Sequence, residues 1–274
     1  MKDHFNDLLA WRTQREASLR GEYSWLALAG LGWLEDGANS VGSAPDSRVQ
    51  LPPRFPSLAG VLHLQNGAAE LEPAPGVAWR LGEQPPLSGR SAALRDDSGG
   101  QPDLLYLDDL RLVVIERAGR LAARLWDPQH PTRLNFPGCI WYPPAPELRL
   151  LARVELYQPP KPVQIVQITG GEYTAHMQAT LAFEIDGKTH RLDAEQMQDG
   201  RYNLMFRDTT AGKTTYGAGR FLISEQPAGD TVILDFNYAY SPPCAFTEFA
   251  TCPLPVPQNI LPIPIEAGEQ ATAH

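Results

Sequence analysis

Along the first twenty residues, apolar positions recur at helical spacing: Phe5, Leu8, Leu9 and Leu19, with Arg12, Arg15 and Glu16 on the same turns. That spacing predicts a helix, and Gly21 stands where a C-cap glycine would. The next stretch, YSWLALAGLGWLEDG, is apolar and aromatic but interrupted by glycines and closed by an Asp-Gly turn. It is too short for a second long helix and predicts a strand or turn packed under the first one. From Asn39 onward the period shortens towards two. SVGSAPDSRVQLP, GVLHLQNGAAELEP and GVAWRLG are short extended runs separated by Gly, Pro and Asn.

DLRLVVIERAGRLAARLWD reads as a hairpin with strands at 111–117 and 120–126, its arginines marking a solvated face. LAFEIDGKTHRL gives a second hairpin, with Asp186-Gly187 as a two-residue type I′ turn. RYNLMFRD, TTYGAGRFLI and TVILDFNYAY continue as strands. Between the two β regions, six prolines fall within Asp127–Arg149 and mark a junction. The expected fold is therefore mainly β. An N-terminal helix and a small sandwich occupy 1–130, a proline-rich junction 131–160, and an antiparallel barrel-like unit 161–274. Pro253, Pro255 and Pro257 at alternate positions cannot join a central strand, so Ser241–Asn259 predicts a stiff, extended strap closing that second unit.

Charge and composition narrow the function classes. A chain of 274 residues that is 43% hydrophobic can bury a full core, and its net charge of −9 argues against a nucleic-acid surface. The same charge argues against anionic membranes, and no stretch approaches the roughly 18 apolar residues of a membrane helix. With no secretory pattern at the start and only three cysteines, the sequence reads as a soluble cytoplasmic protein.

No phosphate-binding loop, zinc-protease helix, nucleophile elbow or dinucleotide fingerprint is present, so no cofactor is expected. GAGRFL lies inside an expected strand rather than at a strand-to-helix turn, which removes a phosphate role. Cys139, Cys244 and Cys252 fall short of a four-ligand zinc set, and no metal is expected. Cys244 has no histidine close in sequence to act as its base; His176 and His190 are far off. Packed thiols are the favoured reading, with a disulfide as second. Period-two alternation puts Tyr216 and Arg220 on one strand face, and Asp235 and Asn237 on one face of another. Arg220 shares its face with Leu222 and so needs a carboxylate, Asp235 or Asp208. Read structurally, that ion pair pins barrel strands together; read as a ligand site, Arg220, Tyr216, Asp235 and Asn237 form a polar floor beneath aromatic walls that include Trp141, Tyr142 and Tyr240. Asp208, Asp235, Glu266 and Cys244 are then the catalytic candidates, with Glu266 and Glu269 as rim residues or, alternatively, a general acid and base.

Two resemblances follow from longer motifs. NSVGSAPDSRVQLP resembles the opening strand of forkhead-associated domains. Ser43, however, stands where that family has its phosphate-binding arginine, so phosphothreonine recognition is not expected. FRDTTAGKTTYGAGRFL, LDFNYAYSPPCAFTEFATCPLPVPQN and IEAGE, with RLNFPGCIWYPP and GEYSWLALAGLGWLEDGANSVGS upstream, resemble the bacterial and archaeal family called domain of unknown function 1684. Ser241 departs from the Asn-Pro-Pro-Cys of that family, and the resemblance implies no activity.

Three functions stay open. One is binding of a small, partly apolar, anionic ligand in the C-terminal unit, with Arg220 fixing the anion. Another is cofactor-free hydrolysis or isomerisation by carboxylates. The third is a structural module that dimerises through an exposed sheet edge.

Overall fold

The structure is a computed structural model and describes residues 2–272. Helix α1 spans Lys2–Leu19, as the spacing predicts. Gly21 is not a left-handed cap; its N–H reaches Ser18 O at 3.2 Å with an ordinary backbone. The chain divides into two compact units. One takes Ala17–Phe136 with Thr247–Ala250, and the other takes the chain up to Glu16, Pro137–Phe246 and the residues from Thr251 onward.

The first unit holds ten strands: β1 (Leu28–Trp33), β2 (Gly37–Gly42), β3 (Val49–Gln50), β4 (Gly60–Gln65), β5 (Ala68–Pro73), β6 (Arg80–Leu81), β7 (Ala92–Leu94), β8 (Leu105–Leu107), β9 (Leu110–Arg117) and β10 (Arg120–Trp126). They form two five-stranded sheets, ordered β1-β10-β9-β8-β6 and β3-β2-β4-β5-β7. Val41, Leu62 and Leu71 of one sheet and Leu110, Leu112 and Leu125 of the other share one core, which makes the pair a sandwich. Trp79 is fully buried there, and its indole N–H donates to Ala59 O at 2.9 Å.

The β9–β10 hairpin corrects the expected solvated face. Val113, Ile115 and Ala122 are buried in a second small cluster with Leu31, Trp33 and Trp126. Arg111 lies flat on Tyr23 and Trp126, at 4.2 and 4.5 Å from their ring centres, so the long arginine covers aromatic surface rather than reaching for water.

Past the short helix α2 (Pro131–Leu134), the other unit is one antiparallel sheet of six strands. These are β11 (Arg149–Val166), β12 (Glu172–Ile185), β13 (Lys188–Gln196), β14 (Tyr202–Phe206), β15 (Arg220–Ile223) and β16 (Thr231–Asp235), ordered β15-β14-β13-β12-β11-β16. Asp186 and Gly187 both take positive φ, 51° and 70°, as a type I′ turn requires. The sheet curls into a half-barrel around Phe183, Phe206, Phe236, Leu204 and Leu222. The edge strand β15 meets the segment after β16 through a Phe221–Tyr240 bridge, and Glu225 N, just past β15, donates to Ile233 O of β16 at 3.0 Å.

The proline-rich tail lies extended along this unit. Leu254 N donates to Val166 O at 2.8 Å and Ile168 N to Cys252 O at 2.9 Å, so the non-proline positions make the few ladder bonds available. Asn259, 2% exposed, then ties two strands together through Asp193 N, Asp193 O and Met205 O. Gly268 is required where the tail returns: its φ is +79°, and a Cβ there would sit 2.4 Å from Ala239 O.

Candidate functional site

The face that α1 turns towards the half-barrel is charged. Its inward positions are His4, Leu8, Arg12, Arg15 and Glu16, while Phe5 and Leu9 remain 47% and 42% exposed. Each polar side chain on that face has a partner within the unit. Arg12 donates to Tyr142 O at 3.2 Å with its guanidinium 4.8 Å above the Trp141 ring. Arg15 Nε meets Glu269 Oε2 at 2.7 Å, and its Nη2 donates to Ser241 O at 2.9 Å. Glu16 accepts from Cys139 N at 3.3 Å. His4 Nε2 lies 2.8 Å from Asp235 Oδ2. Docking by directed polar contacts rather than an apolar stripe fixes the rotation of the helix about its axis.

The His4–Asp235 pair borders a cleft of about 500 Å³ walled by Trp11, Tyr238 and Tyr240, with Arg149, Arg201 and Glu225 also lining it. Asp235 is 3% exposed and is held by its neighbours. Its Oδ1 accepts from Asn237 N at 3.0 Å and Asn237 Nδ2 at 2.8 Å, and Asn237 is itself clamped to both backbone groups of Ala145. Among the described residues, Oδ2 has only His4 and the more distant Arg149 Nε at 3.8 Å beside it. Burial, with Asp235 and Asp7 nearby, holds the Tyr238 hydroxyl above its ordinary pKa; burial does the same for Tyr240. An apolar groove of about 870 Å³ shares His4 and Arg149 and continues past Phe5, Leu8 and Pro144.

The expected polar floor divides between this cleft and filled interior. Asp235 and Tyr240 line the cleft, and Asn237 lines the groove. Arg220 does pair with a carboxylate, Asp208, at 2.8 Å, but both side chains are almost wholly buried. The remaining Arg220 bonds go to the carbonyls of Ile265 at 2.8 Å and Ala267. Asp208 also accepts from Thr210 N at 2.7 Å. Burial lowers the pKa of Arg220 against the pull of Asp208. With both Nη groups turned to protein oxygens and the side chain almost wholly buried, Arg220 is not the hook for a ligand's anion, and Asp208, enclosed with it, is not a catalytic base.

The other candidates are also corrected. Tyr216 precedes β15 instead of sharing its face, and its hydroxyl donates to Cys244 O at 2.8 Å. Asn237 is not on a strand, since β16 ends at Asp235, which caps the 3-10 turn Phe236–Tyr238. Tyr142 is buried with its hydroxyl bonded to Thr214, and Trp141 lies beneath Arg12, so neither walls a pocket with Arg220. Glu266 is exposed, whereas Glu269 is fully buried and is no rim residue. Burial raises the Glu269 carboxyl against the pull of Arg15.

His4, Trp11, Arg149 and Tyr238 were not legible as site residues. His4 and Asp235 are 231 positions apart, and no local pattern links them. Among the described residues, no group of three or more His, Cys, Asp or Glu side chains converges as metal ligands would, and no helix is long and apolar enough to cross a membrane.

Residues 134–270, half of the chain, match the family described as Protein of unknown function (DUF1684). The match takes in the motifs from LNFPGCIWYPP, beginning at Leu134, to IEAGE, and leaves GEYSWLALAGLGWLEDGANSVGS and α1 outside it. No curated protein matches the chain. Among solved structures it is similar to the solution NMR structure of an uncharacterized protein of Haloarcula marismortui. The identity is 32%, with 50% of this chain and 78% of that one covered, at a TM-score of 0.42. On the strength of the family match, the chain belongs to the DUF1684 family.

Proposed function

We propose that the half-barrel and the first helix together bind a small, partly apolar molecule carrying an anionic group. The observation that carries this reading is the His4–Asp235 pair set in a cleft with three aromatic walls. A site of about 500 Å³ suits a ligand of metabolite size, and a few fixed polar groups among apolar walls are the usual composition of such sites. Arg149 and Arg201, both partly exposed, supply the cations that Arg220 cannot. The location we assign is the bacterial cytoplasm, on the acidic charge and sparse cysteines of the sequence.

Benzoate and its neutral counterpart benzyl alcohol test this directly by tryptophan fluorescence and calorimetry. Benzoate should saturate and bind about tenfold more tightly than the alcohol, and Arg149→Ala should erase that difference. Equal affinities, or no saturation by either probe, would refute the anionic-ligand reading.

A second reading rests on one further feature. Asn237 fixes one oxygen of Asp235 while the other faces His4, the arrangement in which a carboxylate orients an imidazole for proton transfer. On this reading the protein is a cofactor-free hydrolase or isomerase, with His4 as the base. A compound that co-purifies with the native protein should then be converted over time in proton NMR spectra, and His4→Gln should retain the compound without converting it.

A further inference from the structure

Cys244 and Cys252 are separated by seven residues, and both are thiols. They are brought together at the start of the proline-rich tail. The backbone N–H of Cys244 donates to Cys252 Sγ at 3.2 Å, and the two side chains are within hydrogen-bonding reach of each other. Both backbones are pinned at this distance. The Cys244 carbonyl accepts from the Tyr216 hydroxyl at 2.8 Å, and the Cys252 carbonyl accepts from Ile168 N at 2.9 Å. Pro243 on one side and Pro253 on the other limit how far either segment can relax. The two sulfurs differ in access: Cys244 is partly exposed, while Cys252 is 5% exposed.

We infer that Cys244 and Cys252 form a reversible dithiol–disulfide site that reacts with low-molecular-weight disulfides, with Cys244 as the attacking thiol and Cys252 as the resolving one. The Cys244 thiolate attacks one sulfur of the small disulfide. A mixed disulfide forms on Cys244, and one small thiolate leaves. Cys252, deprotonated, then attacks the Cys244 sulfur; the Cys244–Cys252 bond forms and the second small thiolate leaves. The protein loses two electrons and two protons, and the small disulfide becomes two thiols, the protons released by the cysteines being taken up by the leaving thiolates.

The assignment of roles follows from surroundings. Hydrogen bonding from Cys252, with a further contribution from Tyr216, holds the Cys244 thiol below its ordinary pKa. Cys139 is the opposite case. Burial and the nearby Glu269 push its thiol up to about 12, which keeps it protonated and inert.

Full-length protein is incubated with glutathione disulfide, quenched by alkylation, and read by intact mass and peptide mapping. The expected product has lost two hydrogens, links Cys244 to Cys252, and leaves Cys139 unmodified until the chain is denatured. In Cys252→Ser the mixed disulfide should persist on Cys244, and in Cys244→Ser adduct formation should slow by about tenfold or more. The wild-type result stands even where a variant fails to fold. A stable glutathione adduct on wild-type Cys244 with no cross-link would overturn the inference, as would adducts forming on Cys139 or Cys252 as fast as on Cys244.

Discussion

Asp208 and Asp235 belong to the same β unit, are 6% and 3% exposed, and each has a basic side chain, Arg220 or His4, at 2.8 Å. What surrounds them is opposite. Asp208 meets Arg220 inside a filled interior, where carbonyls of the returning tail accept from both Nη groups of the guanidinium. Asp235 meets His4 at the wall of an open cleft, with one oxygen committed to Asn237 and the other turned to the histidine. A buried carboxylate with a cationic partner therefore does not by itself mark a site. The useful distinction is between a pair enclosed on all sides by protein and a pair that borders a cleft.

The sharpest way to break this comparison is to remove the tail that fills the Asp208 side. A chain ending at Tyr240 loses the Ile265 and Ala267 carbonyls bound to Arg220, the Asn259 clamp between strands, and the apolar contacts of Leu261 and Ile265. Its half-barrel is expected to show no cooperative melting transition by circular dichroism. Melting near the intact temperature would mean that the tail is an accessory and the Asp208 pair is not held by it.

A single substitution sharpens the same point. Arg220→Met leaves the Asp208 carboxylate buried without its cation, and is expected to cost about 3–5 kcal/mol in urea unfolding. Asp208→Asn combined with Arg220→Met should recover part of that loss, because the stranded charge is gone. On the cleft side, Arg149→Ala should cost less than about 1 kcal/mol, since Arg149 is partly exposed and its pairing with Glu225 is screened by water. A large stability loss there would move the cleft into the structural class.

These outcomes bear on what the residues disclosed before folding. The strands, the Asp186-Gly187 turn and the restraint that alternate prolines impose on the tail were legible because each depends on local chemistry. Arg220 was legible as a buried cation needing a carboxylate, since alternation placed it beside Leu222, and Asp208 meets that need. Alternation alone leaves both a structural ion pair and a ligand hook open, because one strand does not reveal that a tail 45 residues later supplies carbonyls to the guanidinium; the structure has the ion pair. The cleft was illegible for a related reason. It requires a helix from the start of the chain, and the polar face of that helix reads in sequence as solvated. Arg12, Arg15 and Glu16 look like surface charges until the partners Tyr142, Glu269 and Cys139 are in place. Alternation in their segments predicts strands at Tyr216 and Asn237; in the structure β15 begins only at Arg220 and β16 ends at Asp235.

A third carboxylate falls between the two cases and gives the smallest expected effect, a slope with pH rather than a large loss. Glu269 is fully buried like Asp208, but its cation, Arg15, comes from the helix that also carries His4. Burial raises its folded-state pKa above the unfolded value, with Arg15 pulling the other way. Between those two values the folded chain keeps the proton and the unfolded chain has already released it. Stability contributed by this group is therefore present below the unfolded pKa and falls as pH rises through the folded one. Glu269→Gln keeps an acceptor for Arg15 but cannot titrate, so its stability should rise relative to wild type as pH increases through that window. Urea unfolding of both proteins across the acidic range, up to about neutral pH, measures this difference. The opposite trend, with the variant losing ground as pH rises, would mean that Arg15 outweighs burial and that Glu269 belongs with Asp208 as a fully compensated structural charge.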